Sequence, residues 1–417
     1  MTLERVCRRA GTAIGGVLRL LPLMVALVVG TTANAGRSNS DAATVPQAPS
    51  DAVAMVPFEL YHNRVYLMVK VNGTGPFRLI LDTGSVVSGL NEARARDLGL
   101  QLRGKAEMRG NGEKTTPIGL AKNVSFGLGG VELVEKAVAV FSFQDFESHE
   151  GRAVDGILGI NLFYRYVVEI DYANKTLKLY EPKTYVNSGD GEIVPLPLFH
   201  CKIEMAGQSP IDAEMGIDQG TYTAVRLFRN FTANHALIAA DNQNVQPSFG
   251  YGLGGEYKEV AGRLQRLQIG RLKIDEPVTS FSQASSGATV GGGSAGTIGG
   301  EILRRFKVIL DYSRKQMILE PNANFNEPYS ADMSGLILTA QGKDRATIQV
   351  RHVLEKTPAA EAGVREGDVI ETIDDESAEG IGFEPIQQLF RHEGTYRLGI
   401  KRGDQRMQTT IKTRRLI

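Results

Sequence analysis

Cysteine is scarce in this chain, and a net charge is absent. The 417 residues include two cysteines, and 47 lysines and arginines balance 47 aspartates and glutamates. A net charge of zero leaves no basic surface for nucleic acid, so we expect no such partner. The six histidines are scattered, without a His-x-x-x-His or Cys-x-x-Cys spacing. Because a metal site has no support, we predict neither a metal nor a cofactor.

The two cysteines also exclude an internal disulfide from the mature chain. Cys7 lies in an N-terminal segment that we expect to be removed, which leaves Cys201 alone. Stability must then come from the burial of apolar side chains. The 47 glycines and the frequent β-branched residues favour strands joined by tight turns over long helices.

The N-terminus has the pattern of a secretory signal peptide. Arginines at positions 5, 8, 9 and 19 precede or flank an apolar run at 20–29, and small residues at 33–35 suit cleavage. The sequence predicts a signal peptide at 1–35, a flexible leader at 36–52 and a periplasmic or secreted protein. We expect no stable membrane insertion after cleavage; an uncleaved anchor is the alternative.

A repeated stretch divides the next part of the chain into two halves. GILGINLFYRYVVEIDYANKTLKL (156–179) aligns without a gap on GTIGGEILRRFKVILDYSRKQMIL (296–319), with eight of 24 positions identical. The identical residues include an Asp-Tyr pair in each copy. We therefore predict two copies of one β-rich unit, at 53–185 and 186–325.

Each predicted copy carries an aspartate directly after an apolar segment. Asp82 stands in LILDTGS and Asp218 in MGIDQGT. Aspartates at equivalent points of a duplicated unit can meet at the pseudo-twofold axis between the copies. Carboxylates in contact share one proton, so one acts as base towards water and the other as acid towards a carbonyl oxygen. Gly84 and Gly220 allow backbone amides to approach the carboxylates, and we expect the hydroxyls of Ser85 and Thr221 to hydrogen-bond the outer carboxylate oxygens.

Asp-Thr-Gly-Ser, followed by DGILGI at 155–160, resembles aspartic proteases, and the size of each copy is similar to a bacterial retropepsin-like lobe. The resemblance implies a mainly β fold with two tandem retropepsin-like acid-protease β-barrel lobes. It also implies a catalytic dyad of Asp82 and Asp218 beneath two glycine-rich flaps. The flap tips would lie at 108–114 and 249–257, with four candidate glycines: Gly110, Gly112, Gly252 and Gly254.

One position departs from that family. The family has Thr or Ser after both aspartates, and the two hydroxyls hydrogen-bond across the axis, whereas this chain has Thr83 but Gln219. Three outcomes follow. The protein is an enzyme with an altered clamp, which we favour, or it is active only as a dimer through Asp82 of each chain. In the third, it is a catalytically impaired scaffold that binds peptides.

The composition changes after Pro328. TPAAEAGVREGDVIETID (357–374) resembles PDZ domains of exported bacterial proteases, which predicts a PDZ domain at 326–417. The resemblance implies that a peptide C-terminus binds by β-addition beside a loop containing Gly335, Leu336 and Ile337. A helix at 384–392 would form the other wall of the groove.

These features together predict an exported aspartic endopeptidase that hydrolyses peptide bonds through a water activated by the two aspartates. The expected partners are a peptide or protein substrate and a peptide C-terminus at the PDZ domain. That domain would recruit substrate or regulate activity.

Overall fold

The computed structural model of the protein describes residues 51–238 and 245–417. The predicted signal peptide and residues 36–50 of the predicted leader lie outside the described residues. Within these ranges the chain is mainly β, with short helices between the strands. None of the described helices is long and apolar enough to cross a bilayer.

The strands are numbered in chain order. The first half contains β1 (Ala54–Pro57), β2 (Glu59–Tyr61), β3 (Arg64–Val71), β4 (Thr74–Leu81), β5 (Gly89–Asn91), β6 (Lys105–Arg109), β7 (Thr115–Ala121), β8 (Val124–Leu128), β9 (Val131–Glu135), β10 (Val138–Phe141), β11 (Gly156–Leu158), β12 (Val167–Asp171) and β13 (Thr176–Tyr180). The second half contains β14 (Glu192–Pro195), β15 (Phe199–Glu204), β16 (Ile211–Asp218), β17 (Val225–Leu227), β18 (Gln246–Gly252), β19 (Gly255–Arg263), β20 (Arg266–Ile269), β21 (Leu272–Asp275), β22 (Val278–Ser282), β23 (Gly296–Gly299), β24 (Phe306–Asp311) and β25 (Gln316–Pro321).

The C-terminal part contains β26 (Leu336–Gln341), β27 (Thr347–Val353), β28 (Val369–Ile373), β29 (Glu376–Ser377), β30 (Gly394–Arg402) and β31 (Gln405–Thr413). The helices are α1 (Glu92–Asp97), α2 (Gln144–Glu150), α3 (Asn161–Arg165), α4 (Arg229–Asn234), α5 (Gly300–Leu303), α6 (Pro358–Glu361), α7 (Ala378–Ile381) and α8 (Phe383–Leu389). The described ranges also contain one 3₁₀ turn, Ala288–Val290.

Two large sheets, one in each half, have the same strand order. The first runs β6-β7-β10-β5-β11-β4-β3-β8-β9, with β2 beside β3. The second runs β18-β19-β22-β17-β23-β16-β15-β20-β21. Each strand of one order therefore has a counterpart in the other, and β4 corresponds to β16. The two aspartates follow or end these two strands.

A third sheet combines strands from both halves. Its order is β1-β13-β12-β24-β25-β14, and β12 and β24 pair as antiparallel neighbours at its centre. The repeated sequence falls on matching elements: 156–179 covers β11, α3, β12 and β13, and 296–319 covers β23, α5, β24 and most of β25. The two copies of the repeated sequence therefore form matching elements, one set in each half.

The apolar core is continuous across the two halves. In β15 the side chains of Phe199, Cys201 and Ile203 face this core and alternate with exposed residues, as expected for a half-buried antiparallel strand. Burial raises the pKa of the Cys201 thiol to about 12, so the thiol stays protonated at ordinary pH. Cys201 is an apolar packing residue here, since a reactive cysteine needs its thiolate form.

The C-terminal part has a sheet and a core of its own. The sheet order is β26-β27-β28-β30-β31, with β29 beside β28, and β26 is an edge strand. Helix α8 contributes Phe383 and Ile386 to a core cluster that is separate from the core of the two halves.

We predict that Leu310→Ala lowers the free energy of unfolding by about 2–5 kcal/mol. Leu310 is fully buried on β24, opposite Val168 of β12, so the substitution leaves a cavity where the halves join. Chemical denaturation measures the change. The control is Val134→Thr, because Val134 is 59% exposed on β9, and its effect should stay within about 0.5 kcal/mol. Equal effects of the two substitutions would contradict the structure.

Candidate active site

Asp82 and Asp218 occupy equivalent places in the two large sheets. Asp82 follows β4, which pairs in parallel with β11, and its amide donates to Leu158 O at 3.0 Å. Asp218 ends β16, which pairs in parallel with β23 and places it opposite Gly299. The apolar residues directly before each aspartate are buried. Each aspartate therefore lies where its strand leaves the apolar core.

The two carboxylates come together beside Gly84 and Gly220. A Cβ atom at Gly84 would lie 3.0 Å from Asp218 Oδ1 and 3.1 Å from Asp82 Oδ1. A Cβ atom at Gly220 would lie 2.5 Å from Asp82 Oδ2. A side chain at position 220 would displace the Asp82 carboxylate, and one at position 84 would crowd both carboxylates.

The proximity of the two groups changes the acidity of Asp82. Burial is the main cause that raises the pKa of Asp82 to about 7, and the charge of Asp218 adds to it. The amide of Gly84, which donates to Asp82 Oδ1 at 2.7 Å, acts in the opposite direction. The pair therefore retains a proton well above the pH at which an ordinary aspartate loses it.

The hydroxyls of Ser85 and Thr221 have partners other than the carboxylates. Ser85 Oγ donates to Val87 O at 2.7 Å, and Thr221 Oγ1 accepts from Arg226 Nη2 at 2.9 Å. This differs from the sequence prediction, in which both hydroxyls bond the outer carboxylate oxygens. Ser85 instead supports Asp82 through its backbone amide.

Residue 83 clamps the two halves together from one side. Thr83 Oγ1 accepts from the Gln219 amide at 3.2 Å and donates to Ile217 O at 3.4 Å. Gln219 is 1% exposed, and its side-chain amide lies beside the Tyr172 hydroxyl but forms no hydrogen bond of standard geometry among the described residues. Gln219 therefore does not supply a matching clamp from the second half.

Two arginines at the site were missed from the sequence. Arg64 at the start of β3 donates from Nε to Gly220 O at 2.7 Å and forms an ion pair with the buried Glu150. Arg226 on β17 lies with Nη1 3.7 Å from Asp218 Oδ2. The available signal was a single charge inside the apolar stretch AVRLF at 224–228.

The two predicted flap tips meet each other. They are the turns of the β6–β7 and β18–β19 hairpins, and Gly112 N donates to Leu253 O at 2.9 Å while Lys114 N donates to Gly254 O at 3.0 Å. A Cβ atom at Gly112 would lie 2.2 Å from Gly254 C. The four candidate glycines all lie at this contact: Gly110, Gly112, Gly252 and Gly254.

The first tip is also bound to the loop before β23. Ala288 N donates to Gly110 O at 2.9 Å, and Ser285 N donates to the Glu113 carboxylate at 2.7 Å. The tips cover a cleft of about 1380 Å³ that has both aspartates in its wall. A segment of substrate inside this cleft would be shielded from bulk water.

The second hairpin is braced by other parts of the chain. Phe249 stacks on His352 of β27 with ring centroids 4.0 Å apart, and His352 also contacts the Glu256 carboxylate. Tyr251 stacks on His149 of α2 at 3.7 Å. The C-terminal part therefore contacts the hairpin whose turn covers the cleft.

The residues predicted to bind a peptide C-terminus lie at the start of the edge strand β26. Gly335 has a φ of 79°, which favours glycine, and Leu336 and Ile337 begin the strand. The Ser334 and Gly335 amides donate to Asp332 Oδ1, at 2.9 and 2.6 Å. Two amides of the predicted carboxylate-binding loop are thus already bonded to a carboxylate of the chain itself.

Two comparisons with known proteins gave matches. Residues 67–162 match a family model described as aspartyl protease, and this range includes Asp82, Thr83 and the first flap tip. A second match is to a probable CtpA-like serine protease of Staphylococcus haemolyticus (strain JCSC1435). It is 32% identical over 108 residues, which make up 25% of this chain and 22% of that protein. The chain therefore matches about a fifth of the length of that relative.

We predict that Thr83→Val lowers the free energy of unfolding by about 1–3 kcal/mol. The substitution removes the hydroxyl that hydrogen-bonds the backbone amide of Gln219 and the backbone carbonyl of Ile217. Thr83→Ser keeps the hydroxyl and serves as the matched control. Chemical denaturation compares the two variants with the parent. If the Ser variant were as destabilised as the Val variant, the hydrogen bonds would not be the cause.

Proposed function

We propose that the chain is an aspartic endopeptidase in which Asp82 and Asp218 activate a water between them. The observation that carries this proposal is the approach of both carboxylates to Gly84 at the base of a covered cleft. One carboxylate removes a proton from water, and the other gives its proton to the carbonyl oxygen of the scissile bond. No covalent intermediate with the protein is needed.

The match of residues 67–162 to the aspartyl protease model supports the first half as an acid-protease lobe. The identical strand order of the two large sheets supports a second lobe of the same kind. Because one chain already brings its two aspartates together, the structure favours a dyad within the monomer over a dimer that uses Asp82 twice. The boundaries 53–185 and 186–325 remain part of this proposal.

The substrate we propose is an extended peptide that lies in the cleft beneath the two hairpin turns. The hairpins must separate to admit it, since their turns are hydrogen-bonded in the structure. Closure around the bound peptide then excludes water from the reacting bond.

A peptide-binding scaffold without activity is the second candidate, and Gln219 is the observation that favours it. The buried side-chain amide of Gln219 forms no standard hydrogen bond among the described residues, so the hydroxyl of Thr83 alone joins the two halves here. A peptide library with a pepstatin-like inhibitor separates the candidates. Cleavage that the inhibitor blocks supports the enzyme, whereas binding without cleavage supports the scaffold.

One relative is described as a serine protease, so serine chemistry needs a control. Gly292-Gly293-Ser294-Ala295-Gly296 has Gly-x-Ser-x-Gly spacing. The nucleophile motif turns from a strand into a helix, whereas this segment leads into β23. We therefore expect a serine-reactive sulfonyl fluoride to leave cleavage unchanged.

We propose that 326–417 is a PDZ domain and that it acts on the second flap hairpin. The edge strand β26 and helix α8 contribute to one apolar core, and this, together with the sequence resemblance, supports the assignment. The contact of His352 with Phe249 and Glu256 supports regulation over recruitment alone. The signal-like N-terminus supports export to the periplasm or outside the cell.

We predict that Asp82→Asn lowers kcat for peptide cleavage by at least about 10²–10⁴-fold, because the dyad then lacks one of its proton-transferring groups. Peptide cleavage followed by mass spectrometry measures the loss, and circular dichroism checks that the fold is retained. Asp97→Asn is the control, because Asp97 is an exposed residue of α1. Cleavage by the Asp82 variant at the parent rate would refute the proposed mechanism.

The alkaline limit of activity is predicted to lie near neutral pH. Burial and the charge of Asp218 raise the pKa of Asp82 to about 7, so the shared proton is present below that pH and is lost as the pH rises through it. The pH profile of kcat/KM measures the limit. An alkaline limit in the ordinary aspartate range would contradict the buried pair.

A further inference from the structure

Arg226 is a buried cation beside one of the two carboxylates. Its side chain is 3% exposed, and Nη1 lies 3.7 Å from Asp218 Oδ2. Nη2 donates to Thr221 Oγ1, whereas Nε and Nη1 have no hydrogen-bond partner among the described residues. Beyond that hydrogen bond, the guanidinium interacts through its charge with Asp218 and with the ring of Tyr257, whose centroid lies 5.9 Å from Cζ.

The cation is present in only one of the two halves. Arg226 lies on β17 opposite Thr297 of β23, and Gly89 lies on β5 opposite Ile157 of β11, the residue that the repeat aligns with Thr297. Strands β5 and β17 hold the same place in their sheets, so Gly89 is the counterpart of Arg226. The duplicated unit therefore folds without a side chain at this position, so the arginine is not required for the fold of the unit.

The other cation near the pair is already neutralised. Arg64 forms an ion pair with Glu150 and donates to Gly220 O. In contrast, Asp218 is the ion-pair partner that the described structure provides for Arg226. The charged and titratable groups facing the pair come from β3, α2, β17, β19 and the loop after β16: Arg64, Glu150, Arg226, Tyr257, Glu259 and Tyr222.

Glu259 is a second acid close to Arg226, and its environment favours its neutral form. It is buried on β19, accepts a hydrogen bond from Ser280, and has a pKa raised by burial despite the attraction of Arg226. Among the described residues, Arg226 lies within ion-pair distance of Asp218 but not of Glu259.

We propose that Arg226 is a positioning residue that keeps the negative charge of the pair on Asp218 and thereby places the shared proton on Asp82. This inference rests on the proposed function and deepens it. An opposite charge within about 4 Å favours the ionised form of a carboxyl group, and burial weakens the screening of that charge by water.

The charge position assigns the two roles. Asp218 takes a proton from water as the water oxygen bonds to the carbonyl carbon, and Asp82 gives its proton to the carbonyl oxygen. The resulting gem-diol collapses when the C–N bond breaks. The proton on Asp218 passes to the leaving nitrogen, and a gem-diol hydroxyl returns a proton to Asp82, which restores the starting state.

Titration of the pair tests the inference without requiring turnover. Protein labelled with ¹³C at aspartate Cγ is titrated by NMR, with assignments from Asp82→Asn and Asp218→Asn. In Arg226→Leu we expect the more acidic titration step of the pair to move up by at least about one pH unit, because the stabilising cation is gone. The acid limit of the kcat/KM profile should move in the same direction.

Two variants separate charge from structure. Arg226→Lys keeps the cation and should keep the acidic step within about half a unit of the parent. Thr221→Val removes the hydrogen bond to Arg226 but not the charge, so it should also leave the step in place. Circular dichroism and thermal unfolding identify any variant that fails to fold.

The outcome that overturns the inference is a folded Arg226→Leu protein whose acidic step stays at the parent pH. If Arg226→Lys and Arg226→Leu both shifted the acidic titration step, the inference would also be overturned, because the shape of the arginine and not its charge would then be the cause. If the NMR steps move as expected but the parent cleaves no peptide, the proposed protease function fails while the assignment of the proton stands.

Discussion

The structure depends on the placement of two buried carboxylates at one point between two sheets. Each sheet brings its aspartate there after a buried apolar strand, and glycines at 84 and 220 leave room for the approach. Two such groups are stable side by side only when a proton or a cation offsets their charge. The raised pKa of Asp82 and the position of Arg226 are two responses to this one constraint.

The two halves share a topology but differ in the details around the pair. The first half contributes the clamping hydroxyl of Thr83, and the second contributes Gln219, whose side chain is unpaired among the described residues. The counterpart of the cation at position 226 is Gly89, which has no side chain. Two carboxylates that share one proton cannot have the same chemical role. The differences around the pair are therefore those expected of a duplicated unit whose copies have different roles.

The cleft cover also joins distant parts of the chain. The hairpin turns hydrogen-bond to each other, the first is held by the loop before β23, and the second stacks on His352 of the C-terminal part. Under the proposed function these contacts must change to admit a peptide, so the same interactions would set both the stability of the cover and the access to the cleft. The C-terminal part is therefore placed to influence the cleft without contributing to its aspartates.

The sequence alone determined the features that depend on local pattern and repetition. These features are the mainly β composition, the two aspartates, the four glycines of the hairpin turns and the repeated stretch. Strand periodicity, turn residues and duplication can all be recognised from the order of residues along the chain. Tertiary structure decided the partners of Ser85 and Thr221, the cations Arg64 and Arg226 beside the pair, and the bond of Asp332 to its own loop. The contacts of the two arginines join residues on different strands or loops, whereas the Ser85–Val87 and Asp332–Gly335 bonds lie within one loop. In both cases the conformation depends on packing that no short segment specifies.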